Sequence, residues 1–148
     1  MARRLAAIMM ADVVGFSRLM NGDELGTLSA LQKHRAEVFD PVIAARGGRV
    51  VKLMGDGALV EFTSVVEAVE AALTIQQRTV QADGQIRMRI GINLGDVIIE
   101  GEDIFGDGVN IVARLETLAD PDGICITSIV QESIDNRIDA SFEDAGQH

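Results

Sequence analysis

The sequence predicts an α+β fold: a ferredoxin-like βαββαβ core with a mostly antiparallel sheet covered by helices. Three observations lead there. Strand and helix periodicities alternate along the chain, two pairs of adjacent strands read as hairpins, and longer helical stretches fall where crossover connections are required. The order is strand, helix, strand, strand, helix, strand, strand, helix, strand, helix, strand. The 148 residues suit a single domain with one sizeable core.

Composition narrows the class. Hydrophobic residues make up 47% of the chain, too many for a disordered one. Aromatics are 3%, with no Trp or Tyr, so Val, Ile, Leu, Met and Ala must build the core. The net charge of −10 opposes non-specific association with nucleic acid or an anionic membrane. It leaves nucleotides open, because a bound cation or a few local positive charges can hold a phosphate. A lone cysteine, Cys125, excludes an intrachain disulfide and suits a reducing compartment. Two Arg followed by an apolar run give the N-terminus a faint likeness to a signal peptide. Asp12 interrupts that run, and it is too short to span a bilayer. The expectation is a cytoplasmic domain without membrane contact of its own.

Leu5–Val14 is nearly all apolar, as in a strand covered on both faces. From about Asp23 to Arg46, Leu25, Leu28, Leu31, Val38, Val42 and Ile43 recur at helical spacing; Pro41 should kink or divide that helix and Gly47-Gly48 end it. Arg49–Met54 and Ala58–Phe62 form a hairpin across Gly55-Asp56-Gly57. Ser64 caps the next helix, whose inner face carries Val65, Val69, Ala72, Leu73 and Gln76, and Gly84 breaks it. Ile86–Ile92 alternates, and Gly95-Asp96 reads as a second hairpin turn. Asp107 caps a helix over Gly108–Leu118. Ile124–Thr127 is a short strand, Ser128 caps a short helix, and Ala140–Glu143 begins another strand.

Four features suggest chemistry. Asp12 ends a buried strand, where a carboxylate is costly unless paired, hydrogen-bonded or on a metal. Gly15 follows, and the turn after it offers N–H groups to phosphate. Asp56 sits in a hairpin turn, where Asp is favoured for backbone reasons alone. If the two segments are sheet neighbours, both carboxylates share an edge, and a divalent cation relieves their repulsion. Lys52, inside a strand, is one of only two lysines, and Asp103 lies in an acidic, Gly-rich loop. Asn110 and Arg114 share a helix face at i and i+4, able to hold a sugar and a phosphate. Each alone has a plainer reading as a solvated polar group. No Walker A motif, dinucleotide fingerprint, Cys/His metal set or Ser/His/Asp triad is present.

Together these segments resemble the class III nucleotidyl cyclase catalytic domain. The resemblance rests on ADVVGFS (Ala11–Ser17), VVKLMGDGALVEF (Val50–Phe62), RIGINLGDVI (Arg89–Ile98) and DIFGDGVNIVARLE (Asp103–Glu116), in that order. It implies metal-dependent conversion of ATP to 3′,5′-cyclic AMP and pyrophosphate, in intracellular signal transduction. Asp12 and Asp56 correspond to aspartates holding two Mg²⁺ or Mn²⁺ ions, and the backbone of Val14, Gly15 and Phe16 to a phosphate cradle. Lys52 and Asp103 correspond to the pair that reads adenine, Asn110 to a ribose ligand and Arg114 to a residue that stabilises the α-phosphate. It also implies a head-to-tail homodimer, with Asp12 and Asp56 of one chain meeting Lys52, Asp103, Asn110 and Arg114 of the other. The rival readings are a degenerate nucleotide-binding or dimerisation module, opposed by the complete set of six residues, and a guanylate cyclase, opposed by Lys52 and Asp103.

The resemblance further implies a triphosphate-binding lysine, and a closing strand, shortly beyond His148. The expectation is therefore a fragment of a longer chain with its C-terminal strands truncated, carrying weak activity or none. A form extended through that lysine should turn over much faster, and equal turnover of the two forms would refute this.

Overall fold

A continuous apolar strand is stable only if protein covers both of its faces. In the computed structural model, which describes residues 2–135, 137 and 138, the first apolar run becomes the centre of the sheet. β1 (Ala2–Val13) pairs antiparallel with β3 (Gly57–Phe62) on one side and with β4 (Met88–Glu100) on the other. β2 (Gly48–Met54) adds to β3 and β5 (Asp103–Phe105) to β4, both antiparallel, giving the order β2-β3-β1-β4-β5. A short β6 (Ile124–Ile126) pairs with β4 in parallel.

Two crossovers complete the expected βαββαβ core. The first comprises α1 (Phe16–Gly22), α2 (Glu24–His34), a π-helical turn (Arg35–Phe39) and α3 (Asp40–Ala45). The second is α4 (Val65–Ala82), capped by Ser64, whose side chain accepts the Glu67 N–H. α5 (Asp107–Leu118) and α6 (Ser128–Ile134) flank β6.

Strand alternation sorts β1 between two cores. Ala7, Met9, Ala11 and Val13 pack with Val69, Ala72 and Ile75 of α4, Leu31 of α2, and Phe39 and Ile43. Ala6 and Ile8 face the other way, onto Leu59, Val97, Ile104 and Val112 of α5. This second core lies inside a curl. β2 and β5 are opposite edges of the sheet, yet Arg49 on β2 donates to the Glu102 carbonyl at 2.9 Å, and Lys52 reaches Asp103 on β5. Arg49 also bonds Glu61 at 3.1 Å, and Arg4 pairs with the same carboxylate.

Several expectations need correction. Gly95-Asp96 is no turn: β4 runs straight through it, and the hairpin turns at Gly101-Glu102, with Glu100 paired to Asp103. The glycine there serves helix packing instead. A Cβ on Gly95 would lie 3.3 Å from the Gly108 Cα, and one on Gly108 would lie 2.7 Å from the Asp96 carbonyl oxygen. Asp103 accordingly begins β5 and is not in a loop. Asp107 and Ser128 are the first residues of their helices; the cap positions are Gly106 and Thr127. The interruption expected at Pro41 falls just before it: a π turn, closed by the Asp40 N–H to the Arg35 carbonyl, separates α2 from α3, and Pro41 stands in the first turn of α3, where its missing donor costs least. Leu25, read as part of a helical apolar face, is 80% exposed. The strand expected from Ala140 lies outside the described residues. Among the described residues, no helix is long and apolar enough to cross a membrane.

At Gly91, too, α5 presses directly on β4. A Cβ there would meet the Glu116 backbone nitrogen at 2.7 Å and the Val112 carbonyl oxygen at 3.0 Å. Backbone atoms cannot step aside as a side-chain tip can. Gly91→Ala is predicted to destabilise the fold by about 1–3 kcal/mol in urea unfolding; an unchanged midpoint would contradict this packing.

Candidate active site

The first cluster forms where β1 ends. The Val13 N–H donates to Asp56 Oδ2 at 3.0 Å, which ties the β2–β3 turn to the end of β1. Asp12, one residue earlier, stands directly opposite Arg89 in the β1–β4 register. Its Oδ1 is buried without a hydrogen-bond partner. Two aspartates thus share one edge, with an oxygen left over. Oxygen donors of this kind suit a hard divalent cation, which commonly takes one or two protein carboxylates and completes its shell with substrate phosphates and water. Among the described residues no cluster of three His, Cys, Asp or Glu forms a ready-made cage, so the fit is to an ion shared with substrate.

Two further residues belong to this edge and were not singled out from sequence. Glu116, on the inner face of α5, is only 4% exposed, and its Oε1 has no partner. Burial, then the adjoining Asp12 carboxyl, push its pKa up to about 8, against the pull of Arg89. Arg89 itself keeps a buried Nε without a partner. The signal for Glu116 was present: Gly108, Val112 and Glu116 recur every four residues, so an acid stood on an otherwise apolar stripe. Nothing in the local pattern marked Arg89.

The turn beyond β1 holds the proposed phosphate cradle. Gly15 adopts a left-handed φ of 62° and precedes α1. The Val14 N–H already donates to the Arg87 carbonyl at 2.8 Å. The donors left for an anion are those from Gly15 and Phe16 into the first turn of α1, which has no intrahelical acceptors for them.

The second cluster spans the curl. Lys52 Nζ lies 3.1 Å from Asp103 Oδ1 and 3.3 Å from Oδ2. It also sits 5.0 Å from the centroid of the Phe105 ring. Asp103 Oδ1 further accepts the Ile104 N–H at 2.7 Å. Partial desolvation works to raise the Asp103 carboxyl, but the Lys52 and Ile104 hydrogen bonds and the Lys52 and Arg49 charges hold it below its ordinary value. A cationic donor and an anionic acceptor are therefore fixed side by side.

Asn110 and Arg114 are exposed on the outer face of α5. Among the described residues neither side chain bonds to either carboxylate cluster. Arg114 instead lines an open groove of about 1420 Å³, together with Ile111, Leu118, Ile124 and Ile129. One chain thus assembles two pairs of the six predicted side chains and leaves the third pair facing outward.

The adenylate and guanylate cyclase catalytic domain family matches residues 3–147. The chain belongs to that family. A putative adenylate cyclase 3 of Rhizobium meliloti is 48% identical over 152 residues, covering 99% of this chain and 26% of that protein. An adenylate cyclase of Streptomyces coelicolor is 34% identical over 149 residues, covering 98% of this chain and 38% of that protein. The domain therefore spans well under half the length of these relatives. Among solved structures, an adenylate/guanylate cyclase/hydrolase from Silicibacter pomeroyi superposes with a TM-score of 0.92 at 43% identity, over 98% of this chain and 88% of that one. The cyclase fold expected from the sequence is the fold observed.

Glu116 gives the metal-free cyclase domain a pH signature. Its carboxyl stays protonated in the fold to about 8, whereas an unfolded glutamate ionises near 4.5. Between those values the unfolded chain holds fewer protons, so stability falls as pH rises. With chelator present, the unfolding midpoint should drop from about pH 5 to pH 8, and Glu116→Gln should flatten that slope. A slope unchanged in the variant would assign it to other groups.

Proposed function

We propose that this domain is an adenylate cyclase that converts ATP to 3′,5′-cyclic AMP and pyrophosphate, as a source of an intracellular signal. The observation that carries the purine assignment is the Lys52–Asp103 pair, a donor and an acceptor held 3.1 Å apart. Adenine presents an acceptor at N1 beside an amino donor, which matches Lys52 and Asp103 respectively. Guanine reverses both, setting an N–H against the ammonium group and a carbonyl against the carboxylate. The names of the Rhizobium and Streptomyces relatives agree with this choice.

In the reaction, the ribose 3′-oxygen bonds to the α-phosphorus, the bond from that phosphorus to the pyrophosphate oxygen breaks, and the hydroxyl proton passes to water. Asp12 and Asp56 would hold two Mg²⁺ or Mn²⁺ ions, whose chemistry is Lewis-acid activation of the hydroxyl and neutralisation of triphosphate charge. The unpartnered Asp12 oxygen supports that role. Arg89, across from Asp12, adds positive charge behind the same edge for a polyanionic substrate. The N–H groups from Gly15 into α1 suit phosphate oxygens.

In a head-to-tail homodimer, Asn110 and Arg114 act together with Lys52 and Asp103 of their own chain on a substrate held by Asp12 and Asp56 of a second copy. Their outward placement on α5, clear of both clusters, supports this arrangement. Asn110 would orient the ribose, and Arg114 would stabilise charge developing on the α-phosphate. Two identical subunits then share two equivalent sites.

Mn²⁺-ATP turnover in the extended form tests the metal edge: Asp12→Ala or Asp56→Ala should each lower the rate by about a hundredfold or more. Calorimetry with Mn²⁺ and a non-cyclising ATP analogue reads the same loss as binding. Undiminished product from either variant would remove that residue from the metal site. Lys52→Glu combined with Asp103→Cys should move the ratio of rates from ATP towards GTP, and an unchanged ratio would end the base-reading role.

A further inference from the structure

The geometry points to Phe105 as a positioning residue for purine selection, one that holds the Lys52 ammonium group by its ring face. This rests on reading Lys52 and Asp103 as the base-recognition pair, and it adds a residue to that pair.

Strand alternation puts Asp103 and Phe105 on one face of β5, with Ile104 between them turned inward and fully buried. Phe105 is therefore not a core residue. It is 42% exposed, in a chain with few aromatics, and burial does not account for it. Its ring meets a cation: Lys52 Nζ lies 5.0 Å from the centroid, within the range of an effective cation–π contact. The same ammonium group is 3.1 Å from Asp103. The flexible four-carbon stem of Lys52 is thus held from two sides.

The two contacts respond differently to a base. Reading adenine requires Lys52 to turn an N–H towards N1, and Asp103 to turn an oxygen towards the amino group. Both moves draw on the ion pair. Asp103 stays anchored, because its Oδ1 also accepts the Ile104 N–H at 2.7 Å. Lys52 has no comparable hydrogen bond from its own strand. The ring attracts the ammonium charge without consuming a donor, so it keeps Lys52 in place while its N–H groups remain free for the base. On the opposite edge of the sheet from β5, Lys52 would otherwise be the loose member of the pair.

The experiment compares Phe105→Leu with Phe105→Trp. The Leu variant keeps apolar bulk and loses the π face; the Trp variant keeps the face. In Mn²⁺-dependent turnover of the extended form, Phe105→Leu should raise KM for ATP and lower the ATP-over-GTP preference by about two- to fivefold, with kcat little changed. Phe105→Trp should stay close to the unsubstituted protein. A Leu variant with unaltered KM and preference, or a Trp variant that loses as much as Leu, overturns the inference. Lys52→Ala runs alongside. If it abolishes purine preference while Phe105→Leu does not, only the Phe105 role fails; if it leaves preference intact, the base-reading role itself fails. NMR of the unsubstituted protein gives a readout independent of folding variants and of activity. The Lys52 ε-methylene protons should be shifted upfield by the ring, and their appearance at ordinary lysine positions would also overturn the inference.

Discussion

The curl of the sheet is the constraint on which the rest of the molecule depends. In a flat sheet of order β2-β3-β1-β4-β5, Lys52 and Asp103 would lie on opposite edges, with three strands between them. They meet because the sheet closes over a small core of Ala6, Ile8, Leu59, Val97, Ile104 and Val112. Those side chains are small or β-branched for the most part, and the space they fill sets how tightly the edges can approach. Arg49 fastens the closure by bonding both Glu61 beside it and the Glu102 carbonyl across the gap. Apolar packing on one face thus creates a polar pair at the rim.

The other cluster follows from a different constraint, the cost of burying charge. Asp12, Glu116 and Arg89 each leave a buried polar atom unpartnered. Leaving such groups unsatisfied is expensive, and native proteins tolerate it chiefly where function needs it. Glu116 escapes part of the cost by keeping its proton, which spares the cluster a third negative charge beside Asp12 and Asp56. A cation arriving at this edge would meet two half-buried carboxylates, one with a buried oxygen left unpartnered, and attraction in such surroundings is less screened than at an open surface.

Local pattern revealed much of this, and its failures have physical causes. The continuous apolar run of β1, the Gly-Asp-Gly turn and the Ser64 cap are signals carried by a few adjacent residues, and each lies where it was expected. Gly95-Asp96 carried the same kind of signal with a different cause. Glycine there makes room for the start of α5, a contact with Gly108 that no short window contains. Glu116 was hidden for a related reason. Helical spacing placed it on the inner face, but only tertiary contact shows that the inner face ends on Asp12. Lys52 and Asp103 were picked out by rarity and by resemblance, whereas their meeting depends on the curl, a property of the whole sheet.

α5 joins these constraints. Its inner stripe of Gly108, Val112 and Glu116 lies against β4, and Gly91 and Gly95 let the helix backbone come down onto the strand backbone. Contact between backbones leaves little slack, because neither partner has a rotamer to change. The outer stripe therefore inherits its position from the sheet: Asn110 and Arg114 are exposed, yet the helix that carries them packs backbone to backbone against β4. The catalytic roles proposed for Asn110 and Arg114 require working geometry held to about half an ångström, a demand that an exposed side chain on a loop cannot easily meet. Glycines on both sides of the α5–β4 contact, Gly108 on the helix and Gly91 and Gly95 on the strand, set the position of the helix that presents Asn110 and Arg114 outward.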